Sequence, residues 1–147
     1  MSDNIFVDTN ILVYSRDSSE PQKQPLAAAW MAYLWENRRG RLSFQVLQEF
    51  YVTVVFKLKP GLGPEKARKD VRALYTWQPL PVDSRVMEGA WGIQDRFQLS
   101  WWDALIVSSA QVMDCSYLLT EDLQDNQKLG DLRVINPFHI SPGSLSS

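Results

Sequence analysis

N-I-F-V-D-T-N-I-L-V-Y-S-R-D, residues Asn4 to Asp17, is the segment around which the rest of the chain is organised. Its apolar run Ile5-Phe6-Val7 breaks off on Asp8, Thr9 and Asn10, as a buried parallel strand does when it delivers a carboxylate to its carboxyl end. Open α/β sheets bind ligands at that edge. The plainer reading is that Asp8 only caps a helix beginning near Ile11, since Asp, Thr and Asn are all good N-cap residues. Taken alone, Asp8 favours the plainer reading. Three further acids arriving at the same edge of the sheet change that balance.

Working outward, the 147 residues make one ordinary domain, large enough to bury a core without disulfides or a structural metal. A hydrophobic share of 45% and a charged share of 22% describe a globular protein. The single cysteine, Cys115, excludes a disulfide framework and a thiolate zinc site, and it fits a reducing compartment. No signal-peptide or membrane-span pattern is read at the N-terminus, so the expected location is cytoplasmic. The net charge of -2 conceals an asymmetry. Between positions 37 and 72 stand nine of the fifteen basic residues against only Glu49, Glu65 and Asp70, so that segment carries +6 and the remainder -8. Most such runs are solvated helical faces; beside an acidic cluster this one also reads as a footprint for a polyanion.

Along the chain, Ile11 to Arg16 reads as a short helix. Pro25 opens the first turn of another that runs to Gly40. The second helix is apolar nearly all round, with Trp30, Met31 and Trp35 beyond what one core face requires. Arg41 to Ser43 is a brief second strand, and Ser43 caps a helix from Phe44 to about Leu58. Its core stripe is Leu47, Phe50, Tyr51, Val54 and Leu58; Glu49 falls off that stripe, one turn from the helix start. Pro64 and Glu65 open a basic helix, Leu80 to Val82 is a third strand candidate, and Asp83 or Ser84 caps a further helix. In S-W-W-D-A-L-I-V-S-S-A, from Ser100, the spacing of Ser100 and Asp103 is a capping box, and it also sets an acid in a helix's first turn. Cys115 to Leu119 is the fourth strand, ending in Thr120, Glu121 and Asp122, and Arg133 to Ile135 is the fifth. The domain is expected over residues 1–137, with a mobile tail over 138–147. Strands alternating with helices predict an α/β protein whose mostly parallel sheet of four to five strands is covered on both faces. That architecture gathers Asp8, Glu49, Asp103 and Asp122 into one acidic cleft.

The chain resembles the PIN domain family, and within it the VapC-type toxins of prokaryotic toxin-antitoxin pairs. The resemblance rests on V-D-T-N-I-L-V-Y, S-F-Q-V-L-Q-E-F, W-W-D-A-L-I-V and Y-L-L-T-E-D-L-Q-D, four motifs in the family's order over nearly the whole length. It implies a three-layer α/β/α fold. It also implies that Asp8, Glu49, Asp103 and Asp122 are the catalytic and metal-binding quartet, with Thr9, Asn10 and Thr120 as polar supports. Among the acids of the last motif, Asp122 is chosen over Glu121 and Asp125 because it stands two residues after Thr120, as the family's pattern has it.

Clustered carboxylates repel one another and raise each other's pKa unless a cation neutralises them. Oxygen-only ligands suit Mg²⁺ or Mn²⁺, and either ion, one or two of them, could activate water for attack on a phosphodiester. The reading is therefore a metal-dependent endoribonuclease toxin that leaves a 5′-phosphate. Two alternatives stand beside it. A haloacid-dehalogenase-type phosphatase also begins with a strand-end aspartate, but it needs a second Asp where Asn10 stands. A catalytically silent or housekeeping PIN domain would serve in RNA binding or processing, or as an interaction module. Arg68, Lys69 and Arg72 are candidate RNA contacts. Trp30 and Trp35 are candidates for a groove that receives an antitoxin helix or a second protomer of a homodimer, because five residues set them about 140° apart around a helix and both cannot face the core centre.

Overall fold

In the computed structural model, which describes residues 3–145, a five-stranded sheet in the order β2-β1-β3-β5-β4 is flanked by helices. The strands are β1 (Ile5–Val7), β2 (Gly40–Arg41), β3 (Tyr117–Leu119), β4 (Lys128–Leu129) and β5 (Leu132–Ile135). β1 pairs in parallel with β2 and β3, β3 in parallel with β5, and only β4 runs antiparallel. The fold is thus α/β with a mostly parallel sheet, as the alternation of elements predicts. Ile5, Phe6, Val7, Leu118, Leu119, Val134 and Ile135 are all buried, so the central strands read as continuous apolar runs covered on both faces.

The register places the chemistry. Val7 stands opposite Leu119, so the residues that follow, Asp8 and Thr120, leave the sheet side by side at its carboxyl edge. The helices are α1 (Thr9–Arg16), α2 (Lys23–Asn37), α3 (Phe44–Val52), α4 (Pro64–Leu74), α5 (Ser84–Phe97) and α6 (Trp101–Val112). Asp8, Ser43, Asp83 and Ser100 cap α1, α3, α5 and α6, each accepting a hydrogen bond from a backbone N–H of the first turn. Among the described residues no helix is long and apolar enough to cross a membrane.

Three expectations are corrected. Leu80 to Val82 is not a strand: only Leu80 bridges, in parallel, to Ser43. The prolines on either side of Leu80, Pro79 and Pro81, carry no N–H, which breaks the ladder around the one bond that Leu80 donates, to the Leu42 carbonyl at 3.1 Å. The helix from Phe44 does not run unbroken to Leu58 but widens after Val52 into a π-helical turn, Thr53–Lys57, closed by the Leu58 N–H on the Thr53 carbonyl at 2.9 Å. The β-branched run Val52-Thr53-Val54-Val55 is a poor sequence for a tight α-turn.

Trp30 is the third correction. It is not part of an exposed groove but fully buried, and its indole N–H is shared between the carbonyls of Pro137 and Ile140 at 3.1 and 3.2 Å. Trp35 is 41% exposed, its ring tilted against Trp77 at 5.1 Å. The 140° separation therefore sends one ring into the core and leaves the other at the surface. Of the expected tail, residues 138–145 make contacts with the domain, and residues 146–147 lie outside the described residues. Besides the Trp30 bond, Phe138 packs edge-on to Tyr14 and Leu145 is buried.

Candidate active site

A cleft of about 730 Å³ opens at the carboxyl edge of the sheet, and Asp8, Glu49, Asp103 and Asp122 all line it. They come from four places: the end of β1, the second turn of α3, the first turn of α6 and the loop after β3. Thr9 and Asn10 line it too. Asp8 serves both readings drawn from the sequence, since it caps α1 through the Thr9 N–H at 2.7 Å while its other oxygen stays in the cleft wall.

Thr120 ties the wall together. Its buried hydroxyl donates to Asp8 Oδ2 at 2.8 Å and accepts from the Asn10 side-chain amide at 3.3 Å and the Asp122 N–H at 3.1 Å. Across the cleft the Thr9 hydroxyl donates to Glu49 Oε1 at 2.8 Å. Helical side chains lean toward the N-terminus, which lets Glu49 reach back from its second turn. Glu121 and Asp125, the other acids of the last motif, are engaged elsewhere. Glu121 takes the Tyr14 hydroxyl and pairs with Lys23 at 2.9 Å. Asp125 accepts the Asn136 N–H at 2.9 Å and faces His139 Nδ1 at 3.1 Å.

Burial pushes the Asp8 carboxyl up from its ordinary value to about 7, assisted by the charges of Asp122 and Asp103 and opposed by its hydrogen bonds from Thr120 and Thr9. Burial, then the Asp122 charge, also raises Asp103. The cleft is thus a place where negative charge is crowded and poorly solvated. Among the described residues no three acidic, histidine or cysteine groups converge tightly enough to hold a metal ion by themselves. The donor chemistry nevertheless fits a hard divalent cation. Every candidate donor is oxygen, and Mg²⁺ commonly keeps several waters while taking only one or two carboxylates. Asn10 Oδ1 and both polar atoms of the Gln45 side chain are buried without a hydrogen-bond partner, and both residues line the same cleft. Buried polar atoms of that kind are rare and call for a partner.

Several lining residues escape the sequence reading. Gln45 stands one helical turn before Glu49, a spacing that could have found it. Thr53 and Lys57 reach the cleft from the π-helical turn, which the sequence does not announce. Trp102, 61% exposed, stands on the rim beside Asp103. Of the three basic candidates, Arg68 and Arg72 line a neighbouring groove that shares Gln48 and Val52 with the cleft, whereas Lys69 lines neither.

Residues 5–128 match the family model described as PIN domain. A toxin-antitoxin complex from Klebsiella pneumoniae superposes with a TM-score of 0.58 at 19% identity, over 91% of this chain and 98% of that one. FitAB bound to the IR36 DNA fragment gives 0.70 at 22% identity, over 93% and 97%. VapBC2 from Rickettsia felis, bound to a DNA fragment from its promoter, gives 0.59 at 15%, over 88% and 96%. At these identities the likeness is one of fold. The comparison with curated proteins finds no match.

Proposed function

Since the chain belongs to the PIN domain family, we propose that it is a metal-dependent endoribonuclease and the toxin of a type II toxin-antitoxin pair. The observation that carries this reading is the convergence of Asp8, Glu49, Asp103 and Asp122 on one cleft, with Asp8 buried and raised to about 7. The toxin assignment draws support from the fold shared with the Klebsiella pneumoniae complex, FitAB and VapBC2.

In this reading one or two of the four carboxylates would hold Mg²⁺ or Mn²⁺ directly, with waters completing its shell and the other acids lining the cleft around it. Such an ion, when bound, supplies an activated water and screens the charge of the phosphodiester. The chain's own groups do the rest. Thr120 fixes Asp8 through Oδ2, and Thr9 fixes Glu49 through Oε1, so neither carboxylate has to be ordered when RNA arrives. Asp8, with Oδ1 on the Thr9 N–H and Oδ2 on the Thr120 hydroxyl, is buried where a bound cation would offset the cost of its charge. Lys57, on the cleft wall, offsets the negative charge where a phosphate must approach.

The partner is an antitoxin whose amphipathic segment seats on the surface around Trp35, and the toxin works as a homodimer. The test of function is cleavage of single-stranded RNA with added Mg²⁺ or Mn²⁺. Asp8→Asn and Asp103→Asn should each lower the rate by at least about a hundredfold with the fold retained by circular dichroism. Full activity in both variants, or cleavage undiminished by EDTA, contradicts the reading.

A further inference from the structure

Beside the acidic cleft a second groove, of about 370 Å³, opens between α3 and α4. That volume lies in the range, about 300–1,000 Å³, of pockets that take one small ligand. Leu47 and Val71 give it an apolar base, exposed Val52 lies toward its rim, and its walls are aromatic. The rings of Phe44 and Tyr75 stand 6.3 Å apart, tilted by 48°. Opposite, the Arg68 guanidinium lies 5.9 Å from the Tyr51 ring centre, and its Nε donates to the Tyr51 hydroxyl at 3.3 Å. Arg72, one turn on from Arg68, completes a cationic edge. Phe44 and Tyr75 are 39% and 51% exposed, whereas the core rings of Phe6 and Phe50 are 0% and 2% exposed. The groove therefore offers flat π-faces to an occupant from outside the core.

Charge and continuity name that occupant. Two arginines at the edge select an anion, and aromatic faces beside arginine select a base, which is the combination that single-stranded nucleic acids require. Gln48 and Val52 line both the groove and the acidic cleft, so a strand seated at the carboxylates runs into the groove without leaving the surface. The geometry points to a nucleotide subsite in which Phe44 and Tyr75 take one unpaired base while Arg68, held against Tyr51, and Arg72 take its phosphate, next to the bond that is cut. This deepens the nuclease reading and rests on it for the direction of the strand.

The subsite is tested by fluorescence anisotropy with a labelled single-stranded RNA of about ten nucleotides, in an Asp103→Asn background where cleavage is stopped. Tyr75→Ala should weaken binding about tenfold, within the span of one base stacked on an aromatic ring. Tyr75→Trp should restore it, and Arg72→Ala should flatten the slope of log affinity against log salt by about 0.7. In the active protein Tyr75→Ala should raise KM on RNA with little change in kcat. Affinity unchanged in both alanine variants overturns the subsite, as does an equal loss on duplex RNA or no binding by the unaltered groove. Variants that shift the sedimentation of the protein yet leave RNA affinity intact also overturn it, by making the groove a protein interface. Groove-dependent RNA binding in a protein that cleaves nothing would uphold the subsite and sink the nuclease reading, so the two failures are distinct.

Discussion

Asp8 is where the sequence and the site meet at the scale of a single residue. Its carboxyl, raised to about 7 from 3.8, holds a proton in the folded chain through the range where the unfolded chain has lost it. Stability of the metal-free protein is then greatest below about pH 4 as far as Asp8 is concerned, and it falls as pH rises through about 7. At about 1.4 kcal/mol per pKa unit the cost of the buried charge is at most about 4 kcal/mol. Asp8→Asn removes that charge but offers Thr120 a poorer acceptor, so the expected net gain is about 1–2 kcal/mol at pH 8, shrinking to nothing by pH 4. Thermal unfolding of both proteins across that range checks it, and a variant less stable than wild type at pH 8 would show that the carboxylate is not strained. The residue types and their order along the chain were legible from the sequence, because strand ends and helix starts announce themselves. Gln45 and the buried Asn10 oxygen were not, since a missing hydrogen-bond partner is a property of the packed cleft rather than of spacing.

Elements explain how the acids stay together. α5 and α6 pack closely enough that a Cβ at Gly89 would lie 2.5 Å from Ser108 Oγ, which itself donates to the Val86 carbonyl at 2.7 Å. Gly89→Ala should therefore push α6, and Asp103 with it, costing about 1–3 kcal/mol of stability and a measurable part of the activity. Adding Ser108→Ala, which removes Oγ and leaves a Cβ at an ordinary 3.7 Å, should recover stability, and no recovery would place the clash elsewhere. On α2 the two tryptophans separate: Trp30→Ala should cost about 3–5 kcal/mol in denaturant unfolding and loosen residues 138–145 to proteolysis. Trp35→Ala should cost under about 1 kcal/mol, as surface changes do, and weaken association with an antitoxin. If Trp35→Ala loses only stability, its face belongs to the core. Long periodic helices and buried strands were readable because a single period repeats over several turns or a run is uniformly apolar. The β4–β5 hairpin, turned at Gly130 with φ +66°, and the π-helical turn were not, because each rests on one or two residues whose conformation is set by their neighbours in space.

At the scale of the whole molecule, a chain of net charge -2 presents an acidic cleft next to a segment of +6, an arrangement suited to holding a polyanion where carboxylates alone would repel it. Lys57, Arg68 and Arg72 are the basic residues of that segment that line the cleft or its neighbouring groove. Replacing all three by alanine should flatten the salt dependence of RNA affinity by about 2 in slope, while Lys69→Ala, which lines neither, should leave it unchanged. In the proposed mechanism the carboxylate cleft cuts RNA with a bound divalent cation and water. The most direct measurement is the chemistry of the new ends when purified protein meets a single-stranded RNA in Mg²⁺ or Mn²⁺. Activation of water predicts 5′-phosphate and 3′-hydroxyl ends, abolished by EDTA. Ends bearing 2′,3′-cyclic phosphate, formed equally well in EDTA, would mean that the RNA's own 2′-hydroxyl is the nucleophile and would contradict the account.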